Sequence, residues 1–319
     1  MSRAATSDAR RNAGVALCLL SAVGFGLMAI FAKQAYAAGL GVTALLAARF
    51  VLAAAVFWAI VGVRARLRAR VAGRRRARPP RRVVLACLGL GTLGYAAQAA
   101  FFFSALEQID ASLTSLLLYT YPALVFCGAV ALGREHVTPW TALALGLASA
   151  GAALVLLGGG TGGLHATGVA LALAAGATYA VYILVAEHVV RSIDPFLLGA
   201  FVATGAAATF LVAGAATGAL RFTAAGWLWI AAIAILSTVL PIVTFMLGVQ
   251  RIGAATASIV STFEPVVTVA LAVALYGETL GPPQALGAVL VLAAVVALQT
   301  RGARGPAVAP AALAHESVG

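Results

Sequence analysis

The chain has 319 residues, 63% of them hydrophobic and only 9% charged, with a formal net charge of +12. So little charge excludes a soluble globular domain, in which about a quarter of residues are charged. Several apolar runs of about twenty residues are each long enough to cross a ~30 Å hydrocarbon core as a helix.

The positive excess does not point to nucleic acid, and no nucleic-acid partner is expected. Ten of the 21 basic residues crowd into one short segment, Arg64–Arg82, between two apolar runs. In that setting they read as a topology signal and an anionic-lipid contact. Residues 1–12 form a polar, basic tail that leads into the first span and lacks the pattern of a cleaved leader.

Ten spans are predicted in chain order. The first five are Gly14–Ala35, Val42–Val63, Val83–Ala105, Ala111–Leu132 and Pro139–Leu157. A glycine run, Gly158–Gly163, opens a linker at 159–165. It lacks the Lys-Ser/Thr that a phosphate loop needs. The second five are Ala166–Ala186, Pro195–Ala216, Trp227–Val249, Ala254–Tyr276 and Pro282–Thr300, and a polar tail closes the chain at 301–319. Three cysteines, Cys18, Cys87 and Cys127, lie inside spans at no disulfide or metal spacing and read as packing residues.

The two sets of five are copies of one another. A constant offset of 143 pairs Ser115 with Ser258, Pro122 with Pro265, Glu135 with Glu278 and Pro139 with Pro282. The repeats are therefore 13–158 and 166–300. Five is odd, so the second copy enters the membrane upside down. Inverted repeats related by an in-plane pseudo-two-fold axis are a feature of secondary transporters, where they supply two nearly equivalent packings open to opposite sides. With both termini in the cytoplasm, eighteen Arg and Lys fall on the cytoplasmic side and two, Lys33 and Arg221, on the other. That asymmetry sets the expected orientation, in a cell (inner or plasma) membrane.

Taken together, these patterns resemble the EamA-type transporters of the drug/metabolite transporter superfamily. The resemblance is carried by Pro122…GREHVTP, by Glu264-Pro265…YGETLGPP, by Arg49 in LLAARF and by the two five-span halves. The chain departs from the family in lacking the usual Trp of the first span, where Gly24–Gly26 stands. The resemblance implies a ten-helix bundle and transport of small molecules, often as export of amino acids, metabolites or toxic compounds.

Glu264 is the one acid deep in a span, where a charge costs at least about 2.5–3.5 kcal/mol and calls for a partner or a proton. It fits a site that holds a cationic group or takes up a coupling proton. It fits equally a permanent pair that locks its helix to a neighbour. Arg49 is the natural partner. It either grips a substrate carboxylate with its planar fork, pairs with Glu264, or extends toward the outer surface.

Pro122, Pro241 and Pro265 sit mid-span and are candidate hinges. Polar and aromatic residues at helical spacing outline a candidate substrate site: Phe25, Tyr95, Gln98, Phe102, Tyr119, Tyr182, Ser258 and Thr262, together with Arg49 and Glu264. Any single hydroxyl fits a bond to its own backbone as well. Spans 1, 3, 4, 6, 8 and 9 are expected to line the cavity, with 2 and 7 flanking it and 5 and 10 outside.

No nucleophile–base set, metal-ligand spacing or nucleotide motif is present in the sequence, so neither catalysis, a metal nor a cofactor is expected. The expected function is secondary active transport of a small amphipathic metabolite, coupled through Glu264 if protons drive it. A lipid flippase or passive facilitator of the same architecture is the alternative.

Overall fold

The computed structural model describes residues 2–72, 79–157, 165–190 and 193–302, and every regular element among them is helical. In chain order these are α1 (Ser2–Ala37), α2 (Val42–Ala72), α3 (Arg81–Leu106), α4 (Ala111–Leu118 with Tyr121–Ala131), α5 (Pro139–Leu157) and α6 (Ala166–Val190). Then follow α7 (Pro195–Thr217), α8 (Gly226–Ile252), α9 (Ala254–Ser261 with Phe263–Tyr276) and α10 (Pro282–Gly302).

Eight of them are long and apolar enough to cross a membrane, which makes the chain a multi-pass membrane protein. The expectation of ten full spans is met less completely by α5 and α10. Their apolar stretches, Pro139–Val155 and Pro282–Leu298, are shorter and cover only roughly 26 Å at 1.5 Å per residue. Large aliphatic side chains such as Leu93, Leu157 and Val212 stand exposed on the outside of the bundle, as suits a surface facing lipid.

Two helices overrun their predicted ends. α1 begins at Ser2, so the polar N-terminal segment continues the first span. α2 passes Val63 and runs to Ala72, carrying Arg64, Arg66, Arg68 and Arg70 with it. Arginine is a good helix former, and the sequence offers no Gly or Pro between Val63 and Gly73. The Arg64 guanidinium packs 4.3 Å above the Phe196 ring of α7. The arginines from Arg74 to Arg78, residues 158–164 around the glycine linker and residues 303–319 of the C-terminal tail lie outside the described residues.

The inversion of the halves is visible in how matching helices meet. α5 and α10 touch through Trp140 against Ala297 and Gly151 against Gly287. α2 and α7 touch through Thr43 against Gly214 and Phe57 against Gly199. α4 meets α9 and the turn that follows it through Tyr119 against Ser261 and Ala111 against Glu278. In each pair, rising numbers on one helix meet falling numbers on the other. Three pairs of equivalent helices are thus antiparallel, which two copies of one bundle achieve only when one is turned over. The cross-contacts obey the same symmetry: α1 packs on α8 and α9, while α6 packs on α3 and α4.

Close backbone approach holds the outer pair together. A Cβ on Gly151 would lie 2.7 Å from the Gly287 carbonyl oxygen, and one on Gly287 would lie 2.5 Å from that of Gly151. Small residues at such crossings are how helices associate where lipid removes any hydrophobic drive. Gly287→Val should therefore force α5 and α10 apart and cost about 1–3 kcal/mol, the usual range for overpacking. A melting curve in detergent would read this as a lowered Tm; an unchanged Tm would show that the contact carries little.

The helices are irregular at equivalent places. α3 contains a π-helical segment at Leu90–Tyr95 and α8 one at Ile235–Val239. α4 breaks at Tyr119 and Thr120, and α9 breaks at Thr262. The offset of 143 carries Tyr119 onto Thr262, Pro122 onto Pro265 and Tyr95 onto Thr238. A proline without an N–H leaves the carbonyl four residues earlier unpaired, and those carbonyls, Leu118 and Ser261, stand at the two breaks.

Candidate functional site

The breaks of α4 and α9 face each other across the seam, and a cavity of about 90 Å³ lies beside them. α1 contributes Phe25, Met28 and Ala29; α2 contributes Arg49; α3 contributes Tyr95, Gln98, Phe102 and Phe103. α4 adds Ser115, Leu118, Tyr119 and Tyr121, α6 adds Tyr179, and α9 adds Glu264 and Thr268. The lining thus draws on both repeats. The volume holds about three waters and is below the ~300 Å³ lower end of ligand pockets. An amino-acid-sized solute needs the helices to move.

Of the residues singled out in the sequence, Phe25, Arg49, Tyr95, Gln98, Phe102, Tyr119 and Glu264 converge on this cavity. Three do not line it. Tyr182 is buried one layer back, stacked on Tyr179 at 6.0 Å and tilted against Tyr95 at 5.7 Å. Ser258 is buried in the first half of α9. The Thr262 hydroxyl donates to the Ile259 carbonyl at 2.7 Å, closing the turn at the break instead of facing a solute.

Among the candidate hinges, Pro122 and Pro265 each start the half-helix after a break, and Pro241 follows the π segment of α8. The lining also differs from the expected helix set. α2 enters it through Arg49, whereas α8 supplies no lining residue; its part is to hold Arg49.

Arg49 is fully buried. Its Nε donates to Thr238 Oγ1 at 3.0 Å, and Thr238, in the π segment, in turn donates to the Ile233 carbonyl just before that segment at 2.9 Å. The guanidinium lies 4.8 Å from the centre of the Phe50 ring and 5.0 Å from that of Phe103. Two aromatic faces attract a cation, but they do not neutralise it. The expected ion pair with Glu264 is not formed. Among the described residues, Arg49 has no carboxylate within ion-pair distance, and the only pair observed joins the surface residues Arg134 and Glu187.

Glu264 instead meets a phenol. The Tyr119 hydroxyl lies 3.0 Å from Glu264 Oε2 and 3.1 Å from the Ser261 carbonyl, the one left open by Pro265. Thr268, one turn on, donates to the Gly26 carbonyl of α1 at 3.0 Å and ties α9 to it. Tyrosines 119, 121, 179, 182 and 95 form a continuous chain of ring contacts, with all but Tyr182 on the cavity wall, the tightest being Tyr121–Tyr179 at 4.7 Å.

One end of the seam is tied by polar bonds. Lys33 Nζ donates to the Ile109 carbonyl at 3.1 Å, the Tyr276 hydroxyl to the Ile30 carbonyl at 2.9 Å and the Tyr36 hydroxyl to the Phe103 carbonyl at 2.8 Å. Glu278 accepts from the Ala111 and Ser112 amides, both at 3.0 Å. Partial burial, and then the Glu278 charge beside it, raise the Asp110 carboxyl above its ordinary value, with the Lys33 ammonium working against both.

Sequence reading missed Met28, Ala29, Phe103, Leu118, Tyr121, Tyr179 and Thr268 as lining. Tyr121 carried a readable signal: the repeat offset sets it opposite Glu264.

Comparison with known proteins matches the description "EamA-like transporter family" twice, over residues 12–157 and 166–300. The chain is 27% identical over 291 residues to the Bacillus subtilis (strain 168) protein called "Uncharacterized transporter YcbK", covering 86% of this chain and 89% of that one. It is 26% identical over 214 residues to an "Uncharacterized transporter" of Archaeoglobus fulgidus, covering 66% and 74%. A solved structure titled "Crystal structure of protein" shares the fold, with a TM-score of 0.63 at 19% identity over 92% of this chain and 98% of that chain. With one match on each inverted half, the chain belongs to the EamA-like transporter family and is a membrane transporter.

Proposed function

We propose that the protein is a secondary active transporter that exports a small amphipathic metabolite by alternating access through the central cavity. One observation carries this reading: a buried Arg49 without a carboxylate partner and a half-buried Glu264 share a cavity at the facing breaks of two inverted helices. A permanent structural pair would have brought the two charges together. Held apart, they can each await a group from a solute or a proton.

An anionic or strongly accepting group suits the Arg49 fork, and an apolar or aromatic body suits the tyrosine wall. Export is the direction that the family resemblance implies. The positive-inside bias supports cytoplasmic termini, so the end tied by Glu278 faces outward and this conformation is closed to the outside.

The reading is tested on the purified protein by screening amino acids and amphipathic metabolites for thermal stabilisation, since a native-state ligand raises Tm with dose. Ligands found this way should show saturable counterflow in proteoliposomes. Flux that rises linearly with concentration would instead assign a passive facilitator.

A further inference from the structure

We infer that Glu278 is a latch that holds one end of the transport path shut, and that Glu135, its repeat equivalent, serves as the latch for the opposite end. The inference rests on the alternating-access reading above, but its test needs no substrate.

The Ala111 and Ser112 amides belong to the first turn of α4, where N–H groups have no partner inside the helix. Asp110 stands at the cap position with extended backbone and makes no side-chain cap of its own. The capping group comes from the other repeat. Glu278 reaches across 167 and 166 positions of sequence and accepts both bonds at 3.0 Å. Its negative charge also suits the positive end of a helix. Gly277, with φ of 65°, ends α9 in a left-handed turn and brings Glu278 back toward α4.

The bond sits where opening would have to occur. Ala111–Leu118 of α4 packs on Phe263–Tyr276 of α9 at this end. Beyond the breaks the two helices leave each other: Tyr121–Ala131 stays on α6, and Ala254–Ser261 packs on α1, α8 and α10, with no comparable contact between the two. The seam is therefore closed at the Glu278 end, and the cavity lies where the two helices part.

A carboxylate on backbone amides suits a reversible closure, because water can replace both bonds when the end opens. Inversion of the repeats then requires a counterpart. The offset of 143 carries Ala111 and Ser112 onto Ala254 and Ala255, and Glu135 onto Glu278. Glu135 is therefore related to the start of α9 as Glu278 is to the start of α4. Exchanging the two packings exchanges the latches.

The test reads accessibility. Ser115 lines the cavity, so Ser115→Cys, in a chain with Cys18, Cys87 and Cys127 replaced by Ala, reports opening to a small charged methanethiosulfonate in oriented proteoliposomes. Without further change, reagent added on the Glu278 side should label slowly. Glu278→Ala should speed labelling from that side about tenfold or more, by raising the population open there, and should slow it from the other. Glu135→Ala should produce the mirror result. Glu278→Gln, which keeps one acceptor without the charge, is the milder variant should the alanine protein fail to fold, and it should shift labelling in the same direction. Labelling unchanged from the Glu278 side, or raised equally from both sides, would overturn the latch. Neither result touches the transport reading, which the ligand screen decides separately.

Discussion

Replacing Arg49 with Leu is expected to weaken solute binding by about 100-fold or more while leaving the protein at least as stable as before. The two effects come from the same fact. A charged hydrogen bond contributes about 1.5–3 kcal/mol, so losing a two-pronged grip removes roughly two decades of affinity. Burying a cation without a carboxylate, by contrast, costs the fold. Replacing buried charges by apolar groups of similar size is often neutral or stabilising by about 1–4 kcal/mol.

The surroundings of Arg49 favour that outcome. Its guanidinium lies against Phe50 and Phe103, which offer apolar contact to a leucine. Thr238 keeps its bond to the Ile233 carbonyl when Arg49 is gone, so no hydroxyl is orphaned. Arg49→Lys keeps the charge but loses the planar fork and its packing between the rings, and should fall between the wild type and Leu in affinity. The measurements are Tm without ligand and the Kd of a ligand from the thermal screen. A large fall in Tm for Arg49→Leu with unchanged affinity would make Arg49 a structural residue and remove it from the site.

The sequence carried the architecture well because membranes leave few alternatives. Lipid forces every backbone group into a helix, and apolar length alone then placed most spans. The repeat offset added the inversion, which the antiparallel pairing of α2 with α7, α4 with α9 and α5 with α10 displays. What composition could not show was local backbone geometry. The π segments at Leu90–Tyr95 and Ile235–Val239 rotate the faces of α3 and α8, so counting 3.6 residues per turn across them misjudges which side chains point inward. The helix-8 lining expectation failed there.

Partner choice was harder still. Arg49 and Glu264 are opposite charges at depth, and attraction argued for pairing them. Two neighbours invisible to sequence spacing decided otherwise. Thr238 reaches Arg49 only because the π segment presents it, and Tyr119 reaches Glu264 only because α4 and α9 both break at the same level. Hydroxyls behaved as their chemistry suggests: Thr178 and Thr262 each bond a carbonyl of their own helix.

Glu264→Gln should abolish pH-driven accumulation while preserving solute exchange and stability. The Tyr119 phenol has one hydrogen and two acceptors close by, Glu264 Oε2 at 3.0 Å and the Ser261 carbonyl at 3.1 Å. When Glu264 is ionised, both it and Ser261 compete for that hydrogen, and one partly buried acceptor loses it. When Glu264 carries a proton, the carboxyl donates to the phenol oxygen and the phenol donates to Ser261, so the set is complete. A proton at this site thus changes which bond ties α9 to α4, at the level where both helices break. Glutamine reproduces the protonated arrangement permanently, since its amide N–H can donate to the phenol while the phenol serves Ser261. The variant should keep its Tm and its counterflow, because neither requires the group to titrate. In proteoliposomes a one-unit pH gradient, worth about 1.4 kcal/mol per proton, can drive roughly tenfold accumulation at one proton per solute. The Gln variant should reach only equal concentrations on both sides. If it accumulates solute as the wild type does under the same gradient, the coupling proton travels elsewhere.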